Sequence, residues 1–218
     1  MVCGAPGSGT SLATKILRYS GMFAGADAGP IDARKFHESV VFRNTNNQIL
    51  ESTIGFPHAP KTIAQFSTHI KKLEDQIDEL VAGVDLKGLL QVYWADHTGH
   101  QLWGWKDPRN SANALLWRKV FPKLRVVIVE KKWRWSERRK QGSLAGTWYR
   151  AKSNKPLREL YVNPPYIDDL NCFRFNIDQF MRDAEHLEDL WRWLELDEGL
   201  FRDFKEFKLL VNAEDKDV

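Results

Sequence analysis

Val126, Val127, Ile128 and Val129 form an unbroken β-branched run inside Leu124 to Glu130. A strand without polar alternation presents apolar side chains to both sides, so both must be covered, as in a parallel sheet with helices on either face. Gln101 to Trp105 reads as a short strand and Ala112 to Val120 as a helix, so strand, helix, strand predicts a parallel sheet with right-handed crossovers. The class is α/β. Phe173 to Ile177 reads as another strand, preceded by a loop at Asn163 to Pro165 and followed by a helical region, Asp178 to Leu194, with Leu187, Leu190, Trp191 and Leu194 on one face. Phe66, Ile70, Leu73, Ile77 and Leu80 recur with helical spacing and predict one amphipathic helix from about Lys61 to Val81.

The 218 residues suffice for one large domain, and 43% hydrophobic with 28% charged residues excludes a disordered or fibrous chain. With no internal repeat, low-complexity tract or linker, residues 1–218 read as one unit, the polar end 211–218 forming a frayed tail. No apolar run reaches the roughly 18 residues of a membrane span. Met1 to Leu12 carries no secretory pattern, and Cys3 and Cys172 make no disulfide framework, so a cytosolic protein is expected. The formal charge of +3 is concentrated: Lys131 to Lys140 holds six basic residues and one acid, leaving −2 for the remainder. Such a focus suits a small phosphate-bearing molecule better than a nucleic acid, although a solvated helix face has the same composition.

Gly4-Ala5-Pro6-Gly7-Ser8-Gly9-Thr10-Ser11 lies between a strand remnant and a helix striped by Leu12, Ile16 and Leu17, which ends near Ser20-Gly21. Backbone N–H groups and a helix N-terminus converge on an anion at such a junction. The short strand, Met1 to Cys3, implies either an abbreviated element or a natural chain that starts upstream. Gly4, Gly9 and Ser11 match Walker spacing, but Thr10 stands where that pattern requires the lysine that grips β and γ phosphates.

A second motif, Trp103-Gly104-Trp105-Lys106-Asp107-Pro108-Arg109, ends a strand. Together with Pro6-Gly7-Ser8-Gly9-Thr10-Ser11, Leu116-Trp117, Phe121-Pro122 and the strand Arg125 to Val129, it resembles the sulfotransferase family, whose phosphosulfate loop omits the Walker lysine. The likeness is strongest from Met1 to Lys140 and extends to Asp178 to Leu196. It implies a three-layer P-loop fold of the sulfotransferase type and transfer of a sulfuryl group from 3′-phosphoadenosine 5′-phosphosulfate (PAPS) to a hydroxyl or amine, without a metal. The acceptor, a small molecule, lipid or glycan, carries no readable motif. The resemblance assigns Pro6, Gly7, Ser8, Gly9, Thr10 and Ser11 to the 5′-phosphosulfate and Lys106 to the sulfuryl or bridging oxygens.

Three positions depart from the family pattern. Gly7 replaces a common lysine or arginine, whose charge would pass to Lys106 or Lys15, or be lost. Lys131 and Arg139 occupy the positions where the family usually has an arginine and a serine on the 3′-phosphate. Leu12 stands where an aromatic residue often stacks on adenine.

For the general base the candidates are Glu38, before a helix containing Asn46-Asn47-Gln48-Ile49-Leu50, and its neighbour His37. A helix-start acid and a surface histidine are their structural counterparts. His97 and His100 lack a ligand set for zinc. Trp133 and Trp135 would stack on adenine or an acceptor, or pack beneath a basic helix, while Trp191 and Trp193 read as core. Two other functions remain open: a P-loop kinase or triphosphatase with a degenerate loop, using Ser11 and Glu130 as magnesium ligands, and a nucleotide-binding protein with weak or no transfer.

Overall fold

The computed structural model describes residues 1–5, 8–25, 28, 38–93, 102–131, 155–183 and 185–196. Three strands, β1 (Val2–Gly4), β4 (Arg125–Glu130) and β5 (Asn171–Asn176), form a parallel sheet in the order β1-β4-β5. A second parallel pair joins β2 (Met22–Phe23) to β3 (Leu102–Trp103). Beyond β3 the chain bridges to β1, with Val2 N–H donating to Trp105 O at 2.8 Å and Val2 paired to Lys106. The strands therefore run β2-β3-β1-β4-β5 across the molecule. The strand following β1 in sequence, β2, lies to one side of it and the strand following β4, β5, lies to the other, and the carboxyl edge at such a reversal of strand order is the usual place for a ligand in an open α/β sheet.

Alternation along the strands divides the core in two. Cys3, Val126 and Ile128 face helices α2 (Val40–Ile54), α3 (Ile63–Asp75), α5 (Leu86–Tyr93), α6 (Asn110–Val120) and α7 (Lys155–Val162). Val2, Val127, Val129 and Phe175 face α1 (Thr10–Tyr19), α8 (Ile177–Phe180) and α9 (Glu185–Leu194). A small parallel sheet flanked by helices is the result, and it explains the unalternating run in β4. No helix among the described residues is long and apolar enough to cross a membrane.

Two expected helices are each divided. The Lys61–Val81 segment breaks at Gln76, whose φ of −124° ends α3 and starts α4 (Ile77–Ala82). Phe66, Ile70 and Leu73 are buried as the spacing predicts, whereas α4 has no buried residue and packs toward α6, where Asp78 meets Lys119 at 3.3 Å. The Asp178–Leu194 segment is interrupted after α8, and α9 buries the expected Leu187, Leu190, Trp191 and Leu194. The strand expected at Phe173–Ile177 spans Asn171–Asn176, because Ile177 already opens α8.

Candidate functional site

The loop after β1 turns through Ser8, whose N–H donates to Ala5 O at 2.9 Å, and enters α1 at Gly9. Gly9 holds a left-handed conformation, φ 95°, that an L side chain resists, and a Cβ there would lie 3.0 Å from Ile177. Gly4 is constrained more tightly, because a Cβ on it would come within 2.6 Å of Val129 O and 2.7 Å of Ser8 Oγ. The first-turn N–H groups of α1 lack intrahelical acceptors, as in any helix, and Gly9 at the N-cap has no side chain to cap them. Ser8 is buried, and its Oγ has no hydrogen-bond partner among the described residues. An orphaned hydroxyl, uncapped helix N–H groups and a close backbone cradle suit an anionic oxygen cluster.

Thr10 and Lys15 are buried and Ser11 is half-buried. The Lys15 ammonium lies over the Tyr19 ring, 5.7 Å from its centroid, one turn further along α1. Pro6, Gly7, His37, His97, His100, Trp133, Trp135 and Arg139 lie outside the described residues.

Lys106 sits where the β3 segment pairs with β1, two residues before Gly4 in register. Its side chain is 1% exposed, and its Nζ donates to Glu38 Oε1 at 2.8 Å. Burial pushes the Lys106 ammonium below the ordinary lysine range, and the Glu38 carboxylate opposes that shift. A buried lysine survives because it is paired. Glu38 immediately precedes Ser39, the N-cap residue of α2, so the chain positions expected to hold a cation and a carboxylate are brought into contact.

Asp107 bonds elsewhere. Its Oδ1 accepts the Arg109 backbone N–H at 2.8 Å and Nε at 2.7 Å, while burial raises its pKa above the usual carboxylate range and Arg109 opposes the rise. Arg109 Nη1 donates to Asn47 Oδ1 at 2.7 Å. Asn46, on the same turn of α2, is buried: its Nδ2 donates to Asn110 Oδ1 at 2.9 Å, and its Oδ1 accepts from Asn113 at 2.7 Å and Trp117 Nε1 at 2.9 Å. Asn110 Oδ1 also accepts from Trp105 Nε1, and its Nδ2 donates to Val2 O at 3.0 Å. The second motif, the first strand and α2 are thus tied by side-chain amides. Asn46, Asn47, Arg109, Asn110 and Asn113 were not singled out as site residues from sequence; the signal was asparagine recurring inside segments of helical pattern.

Beside the loop, around the carboxyl ends of β4 and β5, lies an open hollow of about 600 Å³ bordered by Glu130, Lys131, Asn176, Asp178, Arg182 and Asp183, among others. Ile177, between two of these residues, is the side chain that confines Gly9. Lys131 is exposed at this rim. The Glu130 carboxylate pairs with Arg174 on β5. His186 Nε2 accepts the Asn176 N–H at 2.7 Å with its ring stacked on Phe175, so a neutral imidazole supports this wall, and burial holds its pKa below the usual histidine value.

The carboxyl edge therefore combines a glycine-constrained loop carrying a hydroxyl with no partner among the described residues, a buried ammonium–carboxylate pair beside the first strand, and a hollow bordered by Lys131 and Arg182 as well as by Glu130, Asp178 and Asp183. No family model, curated protein or solved structure matches the chain.

Proposed function

We propose that this protein transfers a sulfuryl group from PAPS to a hydroxyl or amine acceptor, on a P-loop type fold. The observation that carries the reading is the 2.8 Å contact between Lys106 and Glu38 at the strand adjoining the Gly4–Ser11 loop. Sulfuryl transfer needs a base for the acceptor proton and a cation for charge that develops on oxygen, and one contact brings together a residue for each role. Bound here, the donor substrate supplies a sulfuryl group carried on a phosphate leaving group.

The residues fit such a donor. Ser8 Oγ, the first-turn N–H groups of Thr10 and Ser11, and the close approach allowed by Gly4 and Gly9 would hold the phosphosulfate. Lys106 would stabilise the oxygens that gain charge, Glu38 would take the acceptor proton, and Lys131 with Arg139 would meet the 3′-phosphate. His37 remains the alternative base.

Against a kinase or triphosphatase stand Thr10 in place of the lysine and the engagement of Glu130 by Arg174. The test is incubation with adenine-labelled PAPS, or in parallel with ATP, and a panel of phenols, alcohols, amines and glycans, with and without magnesium. Acceptor-dependent release of adenosine 3′,5′-bisphosphate that is insensitive to chelator supports transfer. Magnesium-dependent cleavage of ATP with no consumption of PAPS would replace it with the kinase-like reading.

A further inference from the structure

Arg109 opens α6 beside the Lys106–Glu38 pair, and its guanidinium is held from its own turn and from α2. Nε bonds Asp107 Oδ1 at 2.7 Å, Nη1 bonds Asn47 Oδ1 at 2.7 Å, and Nη2 lies 3.8 Å from Glu38 Oε2. Asp107 is wholly buried; its Oδ1 accepts both the Arg109 backbone N–H and Nε, and its Oδ2 has no hydrogen-bond partner among the described residues. Glu38 therefore stands between two cations, with Oε1 on Lys106 at hydrogen-bond distance and Oε2 facing Arg109 from beyond it.

Resting on the sulfuryl-transfer reading, we propose that Arg109 is a positioning residue: clamped by Asp107 and Asn47, it fixes the plane of the Glu38 carboxylate, keeping Oε1 on Lys106 and presenting Oε2 to the acceptor. A glutamate held at one oxygen still turns about its last torsion, which has broad wells. The second cation removes that freedom by attraction, and at 3.8 Å it leaves the Oε2 lone pairs to an incoming hydroxyl. In the reaction, the acceptor O–H proton passes to Oε2 as the acceptor oxygen bonds to sulfur. The bond from sulfur to the bridging oxygen breaks, and its electron pair leaves on the 5′-phosphate of the bisphosphate product. Three directions of approach on one planar group require the guanidinium fork, which a lysine does not provide.

The experiment measures release of adenosine 3′,5′-bisphosphate from PAPS with the acceptor panel, for the parent, Arg109→Ala, Arg109→Lys, Asn47→Ala and Arg109→Ala/Asn47→Ala. Misplacing a reacting group costs rate more than binding, so Arg109→Ala should lower kcat about 10- to 100-fold with KM for PAPS within about two-fold. Arg109→Lys should recover only a small part of the loss. Asn47 is half-buried, and Asn47→Ala should lower kcat roughly 3- to 10-fold, adding nothing once Arg109 is gone, as expected of residues acting through one contact. If Arg109→Ala does not fold, the lysine and Asn47 variants carry the test. Parent-like kcat in these variants, full rescue by lysine, additive losses, or a rise in KM for PAPS at unchanged kcat would overturn the positioning role while leaving sulfuryl transfer intact. A parent protein that releases no bisphosphate under any condition overturns the transfer reading itself, and the positioning role with it.

Discussion

On the α2–α6 side of the sheet, buried polar side chains bond across long stretches of chain: Asn46 reaches Asn110, Asn113 and Trp117, and Asn110 reaches Val2. On the α1–α9 side Thr14 and Ser20 bond within a helical turn, to Thr10 O and Ile16 O, while Trp191 to Ser20 and the Asn176 N–H to His186 are longer links. The packing differs in the same sense. Phe42 stacks on Trp105 with centroids 3.9 Å apart beside Trp117, Trp103 and Phe121, whereas Ile16, Leu17, Leu187 and Leu190 form a largely aliphatic layer opposite. Directional bonds fix where Lys106, Arg109 and Glu38 stand; aliphatic contacts are less demanding of orientation and support the loop from beneath. One face sets geometry and the other chiefly supplies stability.

The largest expected effects separate these roles. Leu190→Ala should cost about 2–5 kcal/mol of unfolding free energy yet leave turnover per folded molecule at the parent value. Asn46→Ala leaves several buried partners unsatisfied, each worth about 1–3 kcal/mol, and should reduce turnover per folded molecule as well. Denaturant titration with active-site-normalised rates distinguishes them, and equal turnover in both variants would break the comparison.

Lys106→Ala probes the site directly. Removing a cation that acts on developing charge costs about 10²- to 10³-fold in rate, so kcat should fall by that factor while bisphosphate affinity changes by a few-fold at most. Loss of stability with a parent-like rate per folded molecule would make the Lys106–Glu38 pair a structural ion pair.

Mild acid should weaken the α2–α3 contact. His69 is buried against Thr53, with Nδ1 2.6 Å from the hydroxyl, and burial pushes its pKa down from 6.5 to about 4. The unfolded chain then binds the proton more readily, so the stabilisation is present above pH 6.5 and is lost as pH falls toward about 4. About 2 kcal/mol should be gone at pH 5. Comparing denaturation at pH 7 and pH 5 for the parent and His69→Gln checks this, and an unchanged acid loss in the variant would assign it to other groups.

How much of this was legible in the sequence depends on whether the signal was local. Gly4, Gly9 and the run from Val126 to Val129 each carry their constraint within a few residues, and they stand where expected, at the end of β1, at the start of α1 and inside β4. Gln76 gave no warning of a break, because the apolar spacing continues through it; the division follows from α4 packing toward α6. In α7 just two of eight residues, Leu157 and Tyr161, are buried, a stripe too narrow to mark a helix. Asn47 and Arg109 lie 62 residues apart, so their contact belongs to tertiary structure. The Glu38–Lys106 contact was anticipated as two separate roles, and its 2.8 Å geometry belongs to the fold.

The smallest expected effect on folding comes from Ser8→Ala. Deleting a buried hydroxyl that has no partner among the described residues should leave stability within about 0.5 kcal/mol or raise it, while donor affinity falls about 5- to 10-fold because a ligand hydrogen bond is lost. Calorimetric unfolding and bisphosphate titration of the same preparation read both quantities. Unchanged affinity would remove Ser8 from the anion cradle.

The central claim concerns the donor, and side-by-side titration of the parent protein with adenosine 3′,5′-bisphosphate and ADP tests it most directly. Both ligands carry two phosphates, but one places a phosphate on the 3′ position, toward the proposed Lys131 and Arg139 contacts. Charge-assisted hydrogen bonds contribute roughly 1.5 to 3 kcal/mol each before screening, so the account predicts that the bisphosphate binds about ten-fold to several hundred-fold more tightly than ADP. Equal affinity, or tighter binding of ADP, would contradict it.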